Sequence, residues 1–175
     1  MQKDFAKTYS NGQAKAELRV TMGGNGPFTV NFRDFKSNKI YDKAGTLIGK
    51  GFEGGKTATL GGVLRNHLEV SVSTDGNRRG IGDIVRSALH EKGHSAGLEH
   101  PWAASNPVSD IRQGDPNVSN STITDNLMNS DQNPNASLRG TSGLKLTEGQ
   151  FKKLDHTISQ NSMTSDDDPD AFKYQ

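Results

Sequence analysis

The chain has 175 residues, and its 21 Lys and Arg against 20 Asp and Glu leave a net charge of +1. This length predicts one domain, and so neutral a balance gives no electrostatic footprint for nucleic acid or an anionic membrane surface. Because the chain has no cysteine, disulfides, thiol catalysis and cysteine-ligated zinc are excluded. No apolar run approaches the ~20 residues of a membrane span, and the opening MQKDFAKTYSNG lacks the apolar stretch of a signal peptide.

The first half of the chain shows the alternation of apolar and polar residues that is typical of β-strands. It predicts strands over residues 16–22, 28–35 and 67–73. Within residues 40–48, two short apolar pieces flank the turn-like segment DKAG, which predicts a hairpin. Short strands separated by many turns favour an antiparallel or mixed, twisted sheet with one solvated face.

The pattern changes to helical spacing at Gly82. Apolar residues follow at positions 84, 85, 88, 89 and 96 and predict a helix. We expect Asp83 to cap its N-terminus and Gly97 to end it, because glycine suits the left-handed position after a helix. The fold class is therefore predicted to be α+β.

Two further segments complete the second half of the chain. Residues 101–127 are rich in Pro, Asn, Ser and Asp, and they predict a long irregular loop. Residues 147–158 have apolar positions at 151, 154 and 158, which predicts an amphipathic helix with Thr147 as its N-cap.

The residues that carry chemistry lie together in residues 90–100, HEKGHSAGLEH. On a helix, His90 and His94 lie one turn apart on the same face, so their imidazoles can converge on one cation. Gly97 lets the chain leave the helix, and His100 can return as a third ligand. Three neutral nitrogens with a fourth position open for water are the ligands of a catalytic zinc, although Co²⁺ or Ni²⁺ could substitute in vitro.

Glu91 directly follows the first predicted ligand, so its carboxylate should lie beside the metal and act as a general base towards the water. We therefore predict a zinc-dependent endopeptidase. Two alternatives stay open: a zinc amidase that hydrolyses peptidoglycan, as a bacterial toxin would, and a non-catalytic module in which zinc staples the helix to the loop. His67 and His156 are interpreted as ordinary strand and helix residues.

The motif HExxHxxGxxH resembles the signature of the metzincin clan of zinc metallopeptidases, nearest to its serralysin-like and matrixin-like branches. The resemblance implies a methionine turn in residues 125–130, with Met128 as a hydrophobic floor that does not bind the metal. It also implies that the helix over 147–158 is the clan's C-terminal helix. Ser130 departs from the tyrosine that serralysin-like enzymes have two residues after this methionine, and no glycine-rich calcium repeat follows, so the branch stays open.

By this resemblance, residues 1–97 form an N-terminal subdomain of sheet and active-site helix. Residues 98–163 form a loop-rich C-terminal subdomain with the third histidine, the methionine turn and the last helix. Residues 164–175 are an acidic tail. Calcium has no support, because no twelve-residue calcium loop is present.

The resemblance further implies that a peptide or protein substrate binds as an added strand along an edge of the sheet. The predicted edge is the strand over 67–73, with Leu68, Val70 and Val72. The specificity pocket is expected near residues 131–144, and Trp102 either lines the cleft or anchors the long loop. We expect secretion, or delivery by a secretion system, and an inhibitor or immunity protein as partner.

Overall fold

The computed structural model describes residues 2–10, 29–35, 38–41, 47–51, 55–60, 64–140 and 143–159. In these residues the helices are α1 (Gln2–Tyr9), α2 (Ile81–Ser95), α3 (Asn120–Thr124) and α4 (Glu148–Ser159). The strands are β1 (Thr29–Phe35), β2 (Asn38–Tyr41), β3 (Leu47–Gly51), β4 (Gly55–Leu60), β5 (Leu64–Thr74) and β6 (Asn77–Arg78). The predicted α+β class is confirmed. None of the described helices combines the length and the apolar character of a membrane span.

The longest strand, β5, lies in the middle of a mixed sheet. β1 pairs with it in parallel on one side, β4 pairs antiparallel on the other, and β6 folds back on its end. β2 and β3 form a separate antiparallel pair, which confirms the predicted hairpin. The strands predicted over 28–35 and 67–73 are also confirmed, and the one predicted over 16–22 lies outside the described residues.

The prediction that residues 67–73 form an edge strand is wrong. Leu68 pairs with Val30 of β1 and with Thr57 of β4, so both edges of β5 are occupied there. β4 was not predicted, because its segment GKTATL has only two apolar side chains and gives a weak strand signal. Among the described strands, β1 and β4 are the outer ones of this sheet.

Helix α2 begins earlier than predicted. Its N-cap is Gly80 in an extended conformation, and the helix starts at Ile81. Asp83 is therefore not the cap but the third helical residue, where its carboxylate interacts favourably with the positive end of the helix dipole.

The predicted end of α2 is confirmed. Gly97 has a φ of +79°, in the left-handed region that favours glycine. The Gly97 N–H donates to the His94 carbonyl at 2.8 Å, and the Leu98 N–H donates to the Gly93 carbonyl at 3.0 Å. These two bonds form a Schellman motif, which satisfies the last carbonyls of the helix and turns the chain back towards it.

The N-terminus of α4 is a capping box. The Thr147 hydroxyl accepts from the Gln150 N–H at 3.3 Å, and the Gln150 side-chain oxygen accepts from the Thr147 N–H at 3.0 Å. The predicted cap is thereby confirmed. The predicted long loop over 101–127 is largely irregular, but it contains α3 and a single 3₁₀ turn at Ser109–Ile111.

The main core lies around α2 and is built from distant parts of the chain. Helix α1, which the sequence analysis missed, contributes Tyr9, whose hydroxyl donates to the Leu89 carbonyl. The buried members of this core are Tyr9, Leu89, Ala96, Leu98, Leu127, Met128 and Leu154. A smaller cluster of Val108, Ile111, Ile123 and Leu138 holds the loop region together.

Met128 packs directly against the backbone of α2 at Gly93. A Cβ built on Gly93 would lie 2.5 Å from the Met128 sulfur, whereas a Cβ on Gly82 of the same helix would meet nothing within 4 Å. Met128 is fully buried, so it has little room to move away. The absence of a side chain at Gly93 therefore lets Met128 lie under the helix.

Two matched glycine substitutions in α2 test this packing. Gly93→Ala should lower the free energy of unfolding by about 1–2 kcal/mol, because overpacking outweighs the gain in helix propensity. Gly82→Ala should raise it by up to about 1 kcal/mol, since only the propensity changes. Chemical denaturation of both variants is the measurement, and equal stabilisation by both would contradict the close packing of Met128.

Candidate metal centre

Helix α2 places His90 and His94 one turn apart, with their Nε2 atoms 3.1 Å from each other. The turn after Gly97 brings back His100, whose ring centroid lies 4.7 Å from that of His94 and 5.2 Å from that of His90. The ligand nitrogens of the three rings all lie within 4.8 Å of one another. The structure thus brings the three predicted ligands together, and this group could hold a metal ion.

In each of the three rings, Nδ1 is hydrogen-bonded to a backbone carbonyl. At 2.8 Å in each case, Nδ1 of His90 contacts the Leu127 carbonyl, Nδ1 of His94 the Leu98 carbonyl and Nδ1 of His100 the Met128 carbonyl. A carbonyl oxygen can only accept, so Nδ1 carries the proton, and the lone pair of the neutral ring is on Nε2. Hydrogen bonds of this kind orient histidines that bind metals.

The spacing of the His90 and His94 nitrogens fits a tetrahedral cation. Two nitrogen ligands at about 2.05 Å from a tetrahedral ion lie about 3.3 Å apart, and the Nε2 atoms of His90 and His94 are 3.1 Å apart. Two lone pairs at this distance repel each other unless a cation or a proton lies between them. The donor set and its spacing therefore suit a bound metal ion.

Burial favours the uncharged form of the histidines. It holds the pKa of His90 well below the usual 6.5, and the nearby His94, Arg86 and His100 lower it further. Burial also lowers the pKa of His100. Because a metal ion binds the neutral imidazole, these two residues are ready to act as ligands at neutral pH.

Glu91 follows His90 in α2, and its side chain is buried. Its negative charge raises the pKa of two neighbouring side chains, Tyr9 and Arg86. Burial raises the pKa of Tyr9 above its usual range, and the charge of Glu91 raises it further. The same charge favours the protonated form of Arg86. The structure thus places a carboxylate in a buried setting next to the first histidine, where charges interact strongly.

The turn over residues 126–129 lies under α2 and supplies two of the three carbonyls. The Met128 N–H donates to the Asn126 side-chain oxygen at 2.9 Å, which closes the turn. The Asn126 amide also exchanges hydrogen bonds with the Gln150 amide, at 2.7 and 3.2 Å. This amide pair ties the turn to the first turn of α4, so α4 helps to fix the histidines through the turn.

Several groups that shape the site were not predicted from the sequence. The carbonyls of residues 98, 127 and 128 leave no trace in the sequence. Arg86 offered a signal, because it stands one helical turn before His90 and therefore shares its face of α2. Trp102 was expected either to line the cleft or to anchor the long loop. It stacks on His100, with ring centroids 4.4 Å and planes 11° apart, so it lies beside the histidine group.

The other sequence-predicted residues lie elsewhere. Leu68, Val70 and Val72 belong to β5, inside the sheet. His67 is also in β5, and His156 is in α4, so neither joins the histidine group. The predicted pocket wall over 131–144 is, in its described residues, a loop with one 3₁₀ turn at Ala136–Leu138.

Comparisons of this chain with protein families, with curated proteins and with solved structures find no match. The chemistry of the histidine group and its surroundings is therefore the basis for the function.

Removing one ligand tests the metal centre. Mutating a group that hydrogen-bonds a metal ligand typically lowers the metal affinity by about 10–100-fold. His94→Ala removes a ligand itself, so it should lower the affinity for Zn²⁺ or Co²⁺ by more than that. His156→Ala is the matched control, since it removes a histidine outside the group. Trp102 is the only tryptophan, and its contact with His100 makes quenching of its fluorescence by Co²⁺ a measure of binding. Equal affinity in both variants would contradict the site.

Proposed function

We propose that this protein is a zinc-dependent endopeptidase of the metzincin clan, with Glu91 as the general base. The observation that carries the proposal is the convergence of His90, His94 and His100, each with its Nδ1–H bound to a carbonyl and its Nε2 available to one ion. A donor set of three neutral nitrogens favours Zn²⁺ among the metals available to proteins.

The chemistry that zinc supplies when bound is polarisation of the scissile carbonyl and a lowered pKa for a nearby water molecule. Glu91 then takes a proton from the attacking water on a carboxylate oxygen. It passes this proton to the nitrogen of the departing amine as the C–N bond breaks, and the carboxylate is regenerated.

Three features of the fold support the metzincin assignment. The helix with the first two histidines ends in a Schellman turn at Gly97, three residues before His100. The buried Met128 lies under this helix, with its sulfur packed against Gly93. A capped α4 follows and is hydrogen-bonded to the methionine turn.

The substrate peptide is proposed to bind along β4 instead of β5. Among the described strands, β4 pairs only with β5, so its other edge can accept an added strand. It also contacts α2, the helix that carries two of the histidines. Main-chain hydrogen bonds along such an edge hold a peptide extended and leave its side chains to set specificity.

Glu91→Gln is the decisive substitution. It keeps the shape of the side chain but removes the proton acceptor, so we expect full zinc binding and a loss of peptide hydrolysis of about 10²–10⁴-fold. Glu148→Gln makes the same chemical change at an exposed position of α4 and should leave the rate unchanged.

The measurement is mass spectrometry of a peptide mixture incubated with the zinc-loaded protein, beside a zymogram on cell wall. Hydrolysis that survives in Glu91→Gln would contradict the mechanism. Glu91-dependent cleavage of cell wall alone would favour the peptidoglycan amidase. Delivery outside the producing cell, with an inhibitor or immunity protein as partner, belongs to the same proposal.

A further inference from the structure

The carbonyls of residues 127–129 all point at groups of the metal centre or of α2. The Leu127 carbonyl accepts from two donors, His90 Nδ1 and Arg86 Nη2, each at 2.8 Å. The Met128 carbonyl accepts from His100. The Asn129 carbonyl accepts from Arg86 Nη2 again. Arg86 Nη2 therefore bridges the two ends of the turn over residues 127–129. The first two carbonyls of this turn orient His90 and His100.

The setting of Arg86 is costly. Only 7% of the residue is exposed, and its Nε is buried with no hydrogen-bond partner among the described residues. Burial lowers its pKa to about 10, and the charges of Asp131, Glu91 and Asp83 act in the opposite direction. A buried charge with an unpartnered N–H adds little to stability compared with an apolar side chain of similar volume. The two hydrogen bonds from Arg86 to the turn therefore point to a role other than stabilising the fold.

His94 provides an internal reference. Its Nδ1–H donates to the Leu98 carbonyl, which belongs to the Schellman end of α2. That carbonyl is fixed by the helix end and has no bond to Arg86. Loss of the guanidinium should therefore disturb His90 and His100 but leave the orientation of His94 unchanged.

We propose that Arg86 is a positioning residue, which fixes the turn over 127–129 and through it the ring orientations of His90 and His100. It acts on the histidines through the carbonyls of this turn and is not itself one of the ligands. The inference rests on the proposed function only in that the three histidines serve as ligands of one ion. It predicts a hydrogen-bonding change that is visible without metal, substrate or turnover.

The experiment is NMR of the metal-free protein with ¹⁵N-labelled histidine. In the wild type we expect Nδ1–H signals from His90, His94 and His100. In Arg86→Met, which keeps an unbranched side chain but removes the donors, the signals of His90 and His100 should shift or broaden while that of His94 persists. The Co²⁺ affinity should fall by about 10–100-fold. Arg86→Lys, with one ammonium donor, should restore part of the affinity and of the two signals.

Arg112→Met is the matched control, because Arg112 also donates to a backbone carbonyl, that of Asn106 at 3.0 Å, away from the turn. It should leave all three signals and the affinity unchanged. Unchanged signals and affinity in Arg86→Met, or equal loss of all three signals, would overturn the proposal. If Arg86→Met does not fold, Arg86→Lys decides, since selective disturbance of His90 and His100 is still required. The absence of peptidase activity would contradict the proposed function alone and leave this result standing.

Discussion

The hydrogen bonds between imidazole N–H groups and backbone carbonyls are the constraint on which the candidate metal centre depends. A histidine ring can rotate and can carry its proton on either nitrogen. Here a carbonyl 2.8 Å from each Nδ1 fixes both choices at once. The Nε2 lone pairs are thereby kept free of protons, in a group whose ligand nitrogens all lie within 4.8 Å of one another.

These carbonyls can act only if the backbone around them is itself fixed. The carbonyl for His94 is fixed by the Schellman end of α2. The carbonyls for His90 and His100 belong to the turn around Met128, which several contacts hold in place. The Asn126 side chain closes the turn, and Gln150 of α4 binds Asn126. Arg86 donates to the carbonyls of residues 127 and 129, and Met128 packs under the helix at Gly93. The centre is thus preorganised by groups that never contact an ion.

Polar groups occupy much of the interior around this centre. Arg86, Glu91, Asn126 and Gln150 are all buried, in a chain in which apolar residues make up only 30%. Buried polar groups are tolerated when they are hydrogen-bonded, and each such bond also defines a geometry. The same groups that reduce the apolar core therefore give the histidine group and its surroundings a fixed shape.

The local features of the fold and the site were determined by the sequence itself. The spacing of His90 and His94, the glycine at the helix end, the capping box at Thr147 and the alternation in β1 and β5 each depend on neighbours within a few positions. Even so, the start of α2 was misplaced by the sequence analysis, because Gly80 caps the helix without a side-chain signal.

Only the tertiary structure decided which strands lie beside β5 and which carbonyls hold His90 and His100. The sequence analysis placed β5 at an edge, but pairing with β1 and β4 puts it in the middle. The carbonyls lie 37 and 28 residues along the chain from the rings that they bind. Every residue carries a carbonyl, so no periodic pattern identifies these partners. They are set by how distant segments pack around α2.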